Sequence, residues 1–111
     1  MEEPLIITKA YDLILYLVPQ IAKFPKQYRY SLGEKLEMMS LDFLMTLIEA
    51  RYSKEKIIVL KKANLSLEKL RYCIRLCKDL KLMSHHPYEI MTKRVHEIGL
   101  QLGGWIKQSR V

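Results

Sequence analysis

The stretch LKKANLSLEKLRYCIRLC, Leu60 to Cys77, places apolar side chains at Leu60, Ala63, Leu67, Leu70, Ile74 and Cys77, alternately three and four residues apart. Residues three and four apart are neighbours on one face of an α-helix, and the alternation is the packing seam of an antiparallel bundle. A strand would need a period of two. The pattern predicts a helix from about Ser53 or Lys54 to Leu82, broken by Ser84, His85, His86 and Pro87.

The same period extends in both directions. Ile6, Ala10, Leu13, Leu17 and Ile21 mark a first helix from about Leu5 to Phe24. Pro19 should kink or end it locally, and Phe24-Pro25 marks its boundary. A second helix runs to about Arg51 with Leu32, Leu36, Met39, Phe43, Leu47 and Ala50 inward. Its start is open: Pro25 could occupy the first turn, or Ser31 and Glu34 could form a capping box. After Pro87 a last helix continues to about Lys107, with Met91, Val95, Ile98, Leu102 and either Trp105 or Ile106 inward. Short connections make sequential helices antiparallel. The expected fold is all-α, an antiparallel up-down-up-down four-helix bundle, with residues 1–111 as one domain.

The helices carry more apolar surface than one seam requires. The first adds Ile7, Tyr11, Leu15 and Val18; the second adds Leu41, Leu44 and Ile48; the third adds Leu65, Tyr72, Leu76 and Leu80. Such a second set either widens the core or is buried against another subunit.

Composition narrows the partners. The chain has 19 basic and 12 acidic residues, a net charge of +7. Between Lys54 and Leu82 there are nine basic residues and three acidic ones, nearly the whole excess. That concentration is the footprint of a polyanion site, while a charge run by itself more often means a solvated face. Lys61, Asn64, Glu68, Arg71, Arg75 and Lys78 flank the apolar seam, and Lys61 is a candidate nucleic-acid contact with the three cations that end this run. Arg71, Arg75 and Lys78 step by four and three, so they share a face and could grip successive phosphates. Antiparallel topology should bring Lys23, Lys26, Arg29 and Lys35 to the same end of the bundle as Lys78, Lys81, His85 and His86. Tyr28 and Tyr30 interleave there, either to stack on bases or to cover the helix junction.

Met1-Glu2-Glu3 is acidic where an export signal would be basic, and no apolar run approaches the roughly 20 residues that span a bilayer. A cytoplasmic protein without membrane contact is expected. Cys73 and Cys77 lie four apart in a helical pattern, a spacing poor for a disulfide, so both should be reduced thiols. His85, His86 and His96 do not share a metal-ligand spacing with them, so neither a metal nor a cofactor is expected. No phosphate-cradling glycine loop, nucleophile motif or inward Glu-x-x-His pair is present. An Arg followed four to six residues later by His, the signature of the HEPN-type ribonucleases, is also missing; Arg94 and His96 are two apart. The chain reads as a binding protein, not an enzyme. Gly99 and Gly103 could open a smooth strip for another backbone with Trp105 as anchor, or Gly103-Gly104 could fray the C-terminus.

Several residues together resemble a known family: Tyr11-Asp12; Phe24-Pro25-Lys26 with Arg29 and Leu32-Gly33; Leu70-Arg71 to Arg75-Leu76 with Asp79-Leu80; and Glu97-Ile98-Gly99 through Gly103-Gly104-Trp105. In that order and spacing they are similar to the accessory variability determinant (Avd) proteins of diversity-generating retroelements, over nearly the whole chain. The broader group of four-helix-bundle proteins encoded in intervening sequences of ribosomal RNA genes shares the Phe-Pro-Lys…Arg turn. The Avd resemblance implies a basic, barrel-like homopentamer that binds a reverse transcriptase and its template RNA, and supports mutagenic copying without being the polymerase. It implies Arg71, Arg75 and Lys78 as the main electrostatic contacts to RNA or DNA, with Lys23, Lys26 and Arg29 next. The Gly103-Gly104-Trp105 segment takes a structural role. Two other roles remain open: the ribosomal intervening-sequence protein, and a purely structural bundle whose basic surface meets an acidic protein.

Overall fold

The computed structural model describes residues 3–110. Met1 and Glu2, part of the acidic start considered above, and Val111 lie outside the described residues. Helix α1 spans Leu5–Ile21, the single turn α2 Lys26–Arg29, α3 Leu32–Tyr52, α4 Lys56–Asp79 and α5 His85–Ser109. No strand occurs among the described residues.

Each long helix packs on its sequence neighbour, and α1 closes the ring against α5. Directions alternate. The start of α1 meets the end of α5, where Ile6 and Trp105 line one cleft, and further along Tyr16 lies beneath Arg94. The expected four-helix bundle is therefore observed. All six seam residues from Leu60 to Cys77 are buried, as are Ile6, Ala10, Leu13, Leu17 and Ile21 of α1 and Met91, Val95, Ile98 and Leu102 of α5. They form one continuous core with Leu36, Phe43, Leu47 and Ala50 of α3.

The helix ends depart from the sequence reading in ways that local chemistry explains. Helix α1 continues two residues past Pro19 and ends at Ile21; Phe24 folds back into the core from the turn. The start of the second helix splits. Pro25 caps the short α2, and α3 begins separately after Ser31. No capping box forms there. The Ser31 hydroxyl instead donates to the Gln27 carbonyl at 3.0 Å, tying α2 to α3. Gly33 makes this junction possible: a Cβ there would lie 2.8 Å from Ile21 Cγ2 and 3.1 Å from the Tyr28 carbonyl oxygen.

Helix α4 stops at Asp79, not Leu82. The Lys81 amide donates to the Lys78 carbonyl and the Leu82 amide to the Cys77 carbonyl, both at 2.9 Å, while Lys81 takes φ 64°. This is a Schellman ending with lysine in the left-handed position that glycine usually fills. Pro87 does not precede α5 but lies inside its first turn, where a missing amide proton removes no helical bond. The helix then runs through Gly103 and Gly104 to Ser109, so those glycines do not fray it.

The second apolar set divides. Ile7 and Leu44 each follow a buried residue, about 100° round the helix, and join the core. Tyr11 and Leu15 stand two residues either side of buried Leu13, about 200° away, and face outward with Val18. On α4, Leu65, Tyr72, Leu76 and Leu80 are exposed. Since α1 and α4 each pack on α3 and α5, they occupy opposite corners of the bundle. Each corner carries an outward apolar stripe.

Candidate nucleic-acid interface

The cations of α4 do not form one face; the helix deals them to three sides. Arg71 lines a groove with α5 and Lys78 lies against Tyr88 of α5, with Arg75 between them in sequence on the same side of α4. Lys62 and Lys69 line the opposite groove, against Asp42 and Glu49 of α3. Lys35, expected at the turn end, lines that groove as well. Lys61 is ten residues before Arg71, about 80° round the helix, and is exposed. Lys56 is half-buried, and its ammonium is occupied by the carbonyls that end α3.

The Arg71–Arg75–Lys78 edge holds together as the spacing required. Arg71 Nη2 lies 3.9 Å from Glu68 and Arg75 Nε 3.9 Å from Asp79, each within the same helix. These separations exceed hydrogen-bond length, and exposed pairs of this kind are worth about 0–1 kcal/mol. Both guanidinium groups can exchange such a neighbour for a phosphate. The Lys78 ammonium stands 5.2 Å above the Tyr88 ring of α5, a cation–π contact that fixes its position.

Lys23, Lys26 and Arg29 lie in and beside the connection from α1 to α3, and the alternation of helix directions puts this connection at the same end of the bundle as the turn after α4. They are not equivalent. Lys23 and Lys26 are exposed, whereas Arg29 is partly buried and its Nη2 donates to the Phe24 carbonyl at 3.3 Å. Its Nε is buried without a partner. Arg29 therefore braces the turn. Tyr28 packs against the core and covers the junction, while Tyr30 is exposed.

Cys73 and Cys77 are free and buried. A hydrogen bond from the Cys77 thiol lowers the Cys73 pKa to about 7, against the opposing effect of burial and with help from Lys35. The same bond and burial push Cys77 upward. Among the described residues no three His, Cys, Asp or Glu side chains converge on a metal-sized site. No helix among them is long and apolar enough to cross a membrane.

Sequence reasoning missed Lys93 and His96. With Thr92, both line an open groove with Arg71, and α5 had offered no charge run to single them out.

Against known proteins, a family model described as bAvd-like matches residues 5–109. No curated protein matches the chain.

Proposed function

The chain belongs to the bAvd-like family, and from that membership we propose that it is a non-enzymatic accessory protein of a diversity-generating retroelement, which binds nucleic acid and the reverse transcriptase to support mutagenic copying. The observation that carries the nucleic-acid part is the Arg71–Arg75–Lys78 edge, three cations on one side of α4 whose ion pairs among the described residues, Arg71 with Glu68 and Arg75 with Asp79, are long and exposed. Phosphates dominate such contacts, so binding falls steeply with salt and shows little sequence preference.

The second part of the proposal is self-assembly. A monomer rarely leaves two separate apolar stripes in water. Leu15 is 60% and Tyr72 65% exposed, and they lie on helices at opposite corners. Two different patches suit head-to-tail contacts, which close into a ring when the rotation between neighbours allows it. A homopentamer would be such a ring.

The test joins both parts. Replacing Arg71, Arg75 and Lys78 by Glu abolishes binding of RNA and single-stranded DNA while helicity and particle mass stay unchanged. Retained binding rejects this edge. Co-purification of the chain with a reverse transcriptase encoded beside it tests the partner.

A further inference from the structure

We propose that the groove between α4 and α5 is a phosphate track for nucleic acid, in which Thr92, Lys93 and His96 of α5 hold the phosphodiester from the side opposite Arg71. This rests on the polyanion reading above and extends it to a second helix. The groove is open, about 570 Å³, and is lined by Arg71, Thr92, Lys93, His96 and Glu97. A cation from one helix faces a cation, an imidazole and a hydroxyl from the other, the donor set that phosphate oxygens accept.

The lining also holds one carboxylate, Glu97, whose Oε2 pairs at 3.1 Å with the Lys9 ammonium of α1; that exposed pair offsets part of its charge, and the two cations and the imidazole outnumber it. Gly99 matters to the other wall. A Cβ on it would stand 3.5 Å from Arg71 Nη2, so the guanidinium lies directly over the bare α5 backbone one turn from His96. Lys93 and His96 are three residues apart and share a side of α5. The two helices are antiparallel, so Arg75 and Lys78 continue the α4 wall toward Tyr88. A chain of phosphates laid in the groove meets donors on both sides, whereas one laid on the outward surface of α4 would meet Lys61 and, farther along, Asp79.

The test uses the full chain and a fluorescein-labelled oligo(dT) or oligo(U), with anisotropy read at about 50 and 200 mM salt. The variants are Lys93→Gln with His96→Gln, a control Lys69→Gln in the groove against α3, and the Arg71, Arg75, Lys78 to Glu variant. Circular dichroism and particle mass verify that each is folded. The track predicts that K93Q/H96Q weakens binding about tenfold and flattens the log–log salt slope by about 1, while K69Q changes affinity less than about twofold. Equal effects of K93Q/H96Q and K69Q overturn the track. If in that event the α4 triple variant still loses binding, the polyanion reading survives without the groove. If the triple variant binds normally, both fall.

Discussion

The Lys56 ammonium stands 2.9 Å from the carbonyl oxygen of Arg51, and 3.1 Å from those of Ala50 and Ser53. Three carbonyls at the end of α3 converge on one cation from the first turn of α4. The turn between these helices is short, so the last carbonyls of α3 have few alternative partners. A positive charge there also opposes the negative end of the α3 dipole. Replacing Lys56 by Met keeps the stem and deletes the cap. The expected cost is about 2 kcal/mol, the scale of hydrogen bonds to a charged group, read as a fall in Tm or in the urea midpoint. Lys56→Arg should rescue only in part, because a planar fork fits three converging oxygens less well than a point charge. An unchanged Tm in Lys56→Met would show the cap to be ornamental.

Glycines at two places should respond in opposite directions to alanine. At Gly33 the added Cβ meets Ile21 Cγ2 at 2.8 Å and the Tyr28 carbonyl at 3.1 Å, so the buried Ile21 side chain must move and the Tyr28 peptide give slightly; the loss should be about 1–3 kcal/mol despite the better helix propensity of alanine. Gly103 and Gly104 have nothing within 4 Å of the built Cβ. Alanine at each should stabilise the folded protomer by roughly 0.5–1 kcal/mol. Chemical denaturation measures both. If Gly103→Ala raises protomer stability yet lowers particle mass, the bare strip is a subunit contact.

These cases mark the limits of legibility. Leu60 to Cys77 declared its helix and its buried side, because burial and the 3.6-residue period reinforce each other. Ser31 with Glu34 matched a capping box by spacing, yet the hydroxyl found the Gln27 carbonyl of α2, an element too short to leave a periodic signal. The Arg71, Arg75, Lys78 edge was readable for the same reason as the core. Its partners on α5 were not, since the residues facing it depend on which way the bundle turns, and local spacing does not encode that. The proximity of Lys56 to α3 is likewise a tertiary fact that a charge count hides.

Lys81 is a direct test of stored backbone strain. Its φ of 64° lies where glycine is at ease and lysine is not. Lys81→Gly should stabilise the protein by about 0.5–1 kcal/mol, visible as a higher Tm. The exchange also removes a cation from the turn end. Weaker oligonucleotide binding alongside the higher Tm would place that end in contact with nucleic acid; unchanged affinity would confine contact to the α4–α5 side.

Proton linkage at Cys73 has a definite sign. In the unfolded chain both thiols hold protons up to about their ordinary value, whereas folded Cys73 loses its proton near pH 7. Between pH 7 and 9 the unfolded state therefore binds more protons, and stability rises with pH from this group. Beyond 9 the elevated Cys77 keeps a proton that the unfolded chain releases, and stability declines. Iodoacetamide labelling followed by peptide mapping should give Cys73 a midpoint near pH 7, slowed at every pH by burial, with Cys77 inert. Cys77→Ala should move the midpoint up, and Cys77→Ser, which keeps a donor, should move it less. A Cys73 midpoint at the ordinary thiol value would contradict the hydrogen-bonded pair.

Whether the two outward stripes meet each other, or each meets itself, can be decided by mixing. One variant carries Tyr11→Glu and Leu15→Glu on α1; another carries Tyr72→Glu and Leu76→Glu on α4. All four side chains are exposed, so the protomer core is untouched and helicity should persist. In a head-to-tail ring each contact joins an α1 stripe to an α4 stripe, and each variant alone lacks one half of every contact. Each should run as a monomer in light scattering. Mixed, they retain one compatible pairing, the intact α4 stripe of the first against the intact α1 stripe of the second, and should form a dimer of about twice the monomer mass with no larger ring. Self-pairing stripes would behave otherwise: each variant alone would still dimerise through its intact stripe, and mixing would add nothing.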